Sequence, residues 1–253
     1  MLKLSVAIIT LNEEKNIGRC IDSVQGIADE VVVVDSFSTD GTAEICRSKG
    51  ATFIQRRFEG HIEQKNYVLT QTTYPFVLSL DADEALDETL KKSILAVKNE
   101  RLYDGYEMNR LTNYCGKWIR HCGWYPDRKL RLFDKNKGAW GGMNPHDKFE
   151  MHGAKVGRLK GDILHYSYYT REDHLKQIEY FTTILAKAMF DKGRKAPLWR
   201  LCCSPAFKFI KDYFFRLGFL DGGAGLQICA LSAKATFIKY NKLRVLIKGQ
   251  VHK

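Results

Sequence analysis

The chain has 253 residues, 45% of them apolar, 12% aromatic and 27% charged, which provides ample material for a buried core and excludes a disordered or collagenous chain. Its net charge of +11 is unevenly placed: residues 151–253 hold 19 Lys and Arg against 7 Asp and Glu, whereas residues 1–150 hold 21 against 22. No stretch approaches the ~18 uncharged apolar residues of a membrane span, and the opening MLKLSVAIITLNEE lacks a small-residue cleavage site, so it reads as a strand and not as a signal peptide.

Seven cysteines with no C-x-x-C pair point to reduced thiols in a cytosolic setting, neither a disulfide framework nor a zinc site. Residues 4–10 are apolar and β-branched throughout, as in a buried first strand. The loop Leu11-Asn12-Glu13-Glu14 leads into a helix over 16–24, with Ile17, Ile21 and Val24 on one face. EVVVVD, residues 30–35, is a second buried strand. Turn chemistry at 36–41 precedes a helix over 42–49 that ends at Gly50. A third strand over 51–55, a helix over 64–71 and a fourth strand in PFVLSLDADE (75–84) follow. Strands alternating with helices predict βαβ units and a mainly parallel α/β sheet.

Ligands of such sheets bind beyond the C-terminal strand ends. That rule gathers Thr10, Asn12, Glu13, Asp35, Asp40, Asp81 and Asp83 on one rim. In extended chain, residues two apart point the same way, so Asp81 and Asp83 are expected to share one target. Two carboxylates held so close repel unless a cation lies between them, and Mg2+ or Mn2+ is suited to oxygen ligands and substrate phosphates. The competing reading of D-x-D is a turn after a strand. Asp40 also reads as the cap of the second helix.

The segments VAIITLNEEKNI, VVVVDSFSTDGTAEI and LSLDADE, in that order and near that spacing, resemble the inverting family 2 glycosyltransferases of the GT-A fold. WYPDRKLRLF, the NPHD segment and ILHYSY resemble the bacterial subgroup that builds lipopolysaccharide core, in particular the β-1,4-glucosyltransferases of the inner core. The resemblance covers about residues 1–170. It implies a catalytic domain over 1–170, with a nucleotide-sugar half over about 1–100 and an acceptor half over about 101–170. It further implies that Thr10, Asn12 and Glu13 line the nucleotide pocket beside Asp40, that Asp35 faces the uracil, and that Asp81 and Asp83 hold ribose and metal-bound diphosphate. Asp147, in Asn144-Pro145-His146-Asp147, matches the base, where relatives often have Glu; its other reading is a surface Asp beside Lys148. His165 matches a further metal or phosphate contact, or else is a core histidine. Lys65, Arg128 and Arg131 are candidates for phosphate contacts, with solvated charges as the alternative. The implied donor is a UDP-sugar, most simply UDP-glucose; the acceptor is a heptose of lipid-anchored lipopolysaccharide core, or otherwise a polyprenyl-phosphate or capsule intermediate.

Inverting transfer needs a base for the acceptor hydroxyl and charge stabilisation on the departing nucleoside diphosphate, and carboxylates with a divalent cation fit those needs. The aromatic, Gly-rich segment 114–125, with Trp118 and Trp124, reads as an acceptor-side loop or as core. Residues 171–253 read as a basic helical region broken at Gly193 and Pro197. Its aromatics interleave with Arg200, Lys208, Lys211 and Arg216, as at an anionic membrane interface, here the cytoplasmic face of the bacterial inner membrane, or as in packing onto the catalytic domain. A nucleic-acid-binding protein is disfavoured, because no base-stacking motif is present and the first 150 residues are slightly acidic. A nucleotidyltransferase is disfavoured because LNEEKN stands where a Gly- and Arg-rich loop is expected.

Overall fold

The computed structural model describes residues 2–143 and 146–251. They form two units: Met1–Leu111 with Asp127–Tyr166, and Thr112–Pro126 with Ser167–Lys253.

In the first unit, β1 (Ser5–Thr10), β2 (Glu30–Asp35), β3 (Thr52–Gln55) and β4 (Phe76–Asp81) run parallel in the order β3-β2-β1-β4. The helices between them are α1 (Ile17–Val24), α2 (Thr42–Ser48) and α3 (His61–Gln71). The alternation of β1 explains the two layers. Leu4, Val6 and Ile8 pack with Ile17 and Ile21 of α1, whereas Ala7 packs with Val32, Val34 and Val68 on the other face. The chain moves from β1 outward to β3 and then returns to place β4 on β1's other side. In sheets of this kind ligands bind beyond the strand ends at such a reversal. There Thr10 pairs with Asp35 and Ile9 with Asp81, so the rim expected from the sequence forms in register.

Beyond β4 the sheet turns antiparallel. It continues through β8 (Asp127–Asp134), β6 (Gly105–Tyr114), β11 (Val156–Tyr168) and β5 (Glu84–Leu86), and α4 (Glu88–Asn99) follows β5. A hairpin of β9 (Gly138–Met143) and β10 (His146–Met151) stands apart as a second sheet. Its Asn144 and Pro145, part of the segment singled out in the sequence, lie outside the described residues.

In the second unit, β7 (Lys117–Ile119) pairs with the end of β6, Thr112 facing Ile119 and Tyr114 facing Lys117. Three helices follow: α5 (Arg171–Asp191), α6 (Leu198–Ile210) and α7 (Gly222–Val251). Thr170 and Asp173 form a capping box that starts α5. Gly193, at φ +65°, and Pro197 separate α5 from α6, where the sequence marks the break. The aromatic segment 112–126 belongs to this unit. Its Tyr114 is buried, and the rings of Tyr114, Trp124 and Tyr168 surround His174 at 4.7–5.9 Å. Tyr114 and Trp124 therefore serve as core. Among the described residues no helix is long and apolar enough to cross a membrane.

Gly161 in β11 lies at φ +98°, and a Cβ there would collide with the Leu90 amide nitrogen and come within 2.7 Å of Asp87 Oδ1, the cap of α4. Gly161→Ala is therefore expected to destabilise the protein by ~2–4 kcal/mol, read as a fall in the thermal unfolding midpoint.

Candidate active site

Lys65 is the junction of the rim. Its ammonium is only 4% exposed and lies 3.0 Å from Asp81 Oδ1 and 2.8 Å from Asp147 Oδ2. Asp147 reaches it because Asn66, the next residue of α3, binds the hairpin: its side-chain amide donates to the Trp140 carbonyl at 2.9 Å and accepts from the Trp140 amide at 3.0 Å. Across the hairpin Asp147 faces Gly142. Lys148, its expected surface neighbour, pairs with Glu150 at 3.1 Å. Asp147 is therefore an enclosed carboxylate and not a surface one.

The other oxygen of Asp81 receives Arg131 Nη2 at 2.7 Å. Burial opposes charge on Asp81, but Arg131 and Lys65 outweigh it and hold the carboxyl well below the usual range. Burial likewise opposes charge on Arg131, and Asp81 and Glu84 more than restore it. Arg131 is the extra residue of a β-bulge. Tyr106 of β6 pairs with Leu132 and Glu107 pairs with Leu130, so Arg131 has no opposite number and its side chain is freed for the rim. Arg128, three residues earlier, pairs with Asn109 and is exposed.

Glu84 is the residue the sequence reading missed. It is fully buried, accepts from Arg131 at 3.1 Å and Arg110 at 3.3 Å, and takes the Asp81 amide at 3.0 Å. Its only sequence signal was its place at the end of DADE.

Asp81 and Asp83 pair with different side chains. Asp81 closes β4, but Ala82 and Asp83 form a turn before β5, so strand alternation does not apply to them. Asp83 instead lies against β11. Its carbonyl accepts from the Tyr166 amide at 2.9 Å, Glu84 pairs with His165, and its carboxylate lies 3.1 Å from His165 Nε2.

At the other strand ends, Asp35 is fully buried and accepts from the Ser38 amide at 2.9 Å, from the Ser38 hydroxyl, and from Gln55 Nε2 at 3.2 Å. Asn12 sits at φ +53°, a conformation Asn tolerates, and its side chain accepts from the Thr39 amide at 2.8 Å. Asp40 precedes Gly41, the N-cap of α2, rather than capping the helix itself, and accepts from the Thr42 amide and hydroxyl at 3.1 and 2.6 Å and from the Glu14 amide at 3.2 Å. Glu13 accepts from Asn16 at 2.7 Å, and burial raises its carboxyl to about 6, with the Asp83 charge adding to the rise.

The buried side-chain atoms without a hydrogen-bond partner, among the described residues, are Thr10 Oγ1, Gln64 Oε1, Arg131 Nε and Nη1, and Trp140 Nε1. Each belongs to the rim or to a residue beside Lys65. An unpaired buried polar atom costs ~1–3 kcal/mol, and proteins retain such atoms at functional sites.

A divalent cation fits Asp83 and His165. Their 3.1 Å separation is close to the ~3 Å between neighbouring ligands of an octahedral ion with bonds of ~2.1 Å. Among the described residues no three His, Cys, Asp or Glu side chains are gathered as a metal cage. The fit is therefore with an ion completed by water and substrate oxygens, as Mg2+ commonly is.

The signature of Glycosyl transferase family 2 matches residues 5–143. The chain is 31% identical to an uncharacterised glycosyltransferase of Rickettsia typhi, over 97% of this chain and 88% of that one. It is 30% identical to the lipopolysaccharide core biosynthesis glycosyltransferase LpsC of Rhizobium meliloti, over 91% and 85%. Among solved structures, that of S. aureus TarS is similar at 19% identity and a TM-score of 0.48, over 73% of this chain and 40% of that one. With the family signature covering more than half the chain, on a parallel sheet whose strand ends gather the motif residues, this protein belongs to glycosyl transferase family 2 and is a glycosyltransferase of the GT-A fold.

Proposed function

We propose that the enzyme transfers a hexose, glucose from UDP-glucose, with inversion onto a heptose of the lipopolysaccharide inner core, using Mg2+ or Mn2+. The observation that carries this reading is the Asp147–Lys65–Asp81 chain, which joins the expected base to the expected donor carboxylate through one buried ammonium. The similarity to LpsC supports the acceptor class.

In this reading Thr10, Asn12, Asp35 and Asp40 form the nucleoside end, where Asp35 is already fixed by Ser38 and Gln55. Asp81 orients the ribose and is itself held by Lys65 and Arg131. Asp83 and His165 hold the cation, which when bound supplies positive charge against the leaving diphosphate. Arg131 and Lys65 add fixed positive charge on the same side, already oriented by their carboxylates. Asp147 takes the proton of the acceptor hydroxyl as the anomeric carbon becomes oxocarbenium-like. Lys65 holds its carboxylate in place for that step.

A thermal-shift screen of UDP-sugars with Mg2+ or Mn2+, followed by transfer to truncated lipopolysaccharide, tests donor and acceptor together. UDP-glucose should stabilise most, and transfer should appear only on heptose-terminated acceptor. Asp83→Ala is expected to remove metal-dependent turnover with the fold intact, and activity above about a tenth of wild type would sink the metal assignment. Asp147→Asn should keep donor affinity within about threefold and lower kcat by ~10²–10⁴-fold; equal loss of both would mark Asp147 as structural.

Glu13 supplies a pH test. A carboxyl raised from 4.5 to about 6 in the folded protein binds its proton more tightly than the unfolded chain does. Its stabilising contribution is therefore complete below pH 4.5 and lost as pH rises through 6. Melts across that range should show wild type losing up to ~2 kcal/mol relative to Glu13→Gln, and parallel curves would refute the assignment.

A further inference from the structure

The second unit carries an apolar face that no other described residue of that unit covers. Helix α6 has no fully buried residue. Trp199, Cys203, Phe207, Ile210 and Phe214 recur every three or four residues along α6 and the π-helical turn after it, and all are exposed. Exposure reaches 59% at Trp199, 66% at Phe207 and 79% at the adjoining Phe215. The opposite face supplies the packing. Phe209 stacks on Tyr213 at 5.3 Å, and both lie against the cluster of Tyr114, Ile119, Cys122, Ile228 and Cys229. The helix thus already has its core contacts, and the aromatic stripe is additional to them. A run of exposed aromatics this dense marks an interaction surface and not scattered surface apolars.

Charge decides the partner. From Lys192 to Leu220 there are seven Lys and Arg and one acid, Asp212. Asp212 is 1% exposed and is consumed by Lys208 at 2.7 Å and Arg216 at 3.2 Å. Lys192, Arg194, Lys195 and Lys211 stay exposed around the stripe, with no acid of the stretch left to face outward. A second copy of the chain would bring the same cations against one another, which is repulsive. Nucleic acid would answer the charge but offer no apolar medium for Trp199, Phe207 and Phe215. An anionic bilayer answers both: aromatic side chains settle at the headgroup level while the Lys and Arg side chains meet lipid phosphates.

We propose that residues 192–220 form a docking surface for an anionic lipid bilayer, with Trp199, Phe207, Phe214 and Phe215 inserted at the interface and Lys192, Arg194, Lys195 and Lys211 on the headgroups. The surface adds to the transfer reaction and does not depend on the donor assigned above. The full-length protein is tested by flotation with phosphatidylcholine vesicles, with and without phosphatidylglycerol, at low and high salt. Wild type should float with the anionic vesicles at low salt and lose that association as salt rises. Phe207→Ser with Phe215→Ser, and separately Lys192→Glu with Arg194→Glu and Lys195→Glu, should each weaken partitioning at least about tenfold, with unchanged melting and unchanged stabilisation by UDP-sugar. Absence of flotation, or equal flotation with neutral vesicles, overturns the proposal. So does a dimer in solution that Phe207→Ser dissociates while wild type fails to float, since the face would then belong to a second copy. If the aromatic pair fails to fold, the charge variant alone decides, because its side chains are exposed and pack against nothing that holds the core.

Discussion

The site depends on the enclosed ammonium of Lys65. Placing Asp81 and Asp147 on one rim would leave two carboxylates repelling each other and repelling any phosphorylated ligand. Lys65 stands between them at 3.0 and 2.8 Å, and Arg131 takes the remaining oxygen of Asp81. Glu84, buried beneath, answers Arg131 and Arg110 in turn. Each charge has a partner of opposite sign, and Lys65, Asp81, Arg131 and Glu84 each have two, so the array is held from both sides. In the proposed reaction such an arrangement would hold acids close to a polyanionic donor without presenting bare negative charge to it. Its orientation is set before a ligand arrives, which is where much electrostatic catalysis originates.

Two devices of the scaffold make that arrangement possible. One is the bulge in β8, which leaves Arg131 without a cross-strand partner and turns it to the rim. The other is the pair of hydrogen bonds between Asn66 and Trp140, which fixes the β9–β10 hairpin on α3. The same helix turn thus presents Lys65 to Asp147 and holds the strand pair that carries Asp147. The atoms left unpaired at Arg131, Trp140, Gln64 and Thr10 concentrate around these devices, a sign that they are retained for something other than stability.

The second unit follows a different logic. Its interior is aromatic and ordinary, with Tyr114 packed edge to face on Trp124, Tyr168 and His174. Its exposed aromatics at 199–215 are not ordinary, because a soluble helix normally turns such residues inward. The segment 114–125 shows how aromatic content misleads. Tryptophans that resemble sugar platforms can equally form a core, and only their neighbours distinguish the two.

Much of the fold was legible in the chain. Apolar runs separated by amphipathic segments dictate βαβ units, and parallel pairing obliges successive strands to end on one side. Thr10, Asp35 and Asp81 therefore fall together for a reason that local periodicity already contains. The helical nature of residues 171–251 and the break between α5 and α6 follow from spacing and from Gly193 and Pro197 in the same way. What the tertiary structure decided were the pairings between distant residues. Lys65 and Asp147 stand 82 positions apart, and periodicity fixes the face a side chain lies on but not what crosses over to meet it. The turn at Ala82–Asp83 separated two carboxylates that an extended chain would have aligned. The bulge at Arg131 left it without a cross-strand partner, which spacing along β8 does not show. Whether the stripe from Trp199 to Phe214 is covered was likewise beyond the sequence, because an apolar period shows that a face exists and only packing shows whether another element occupies it.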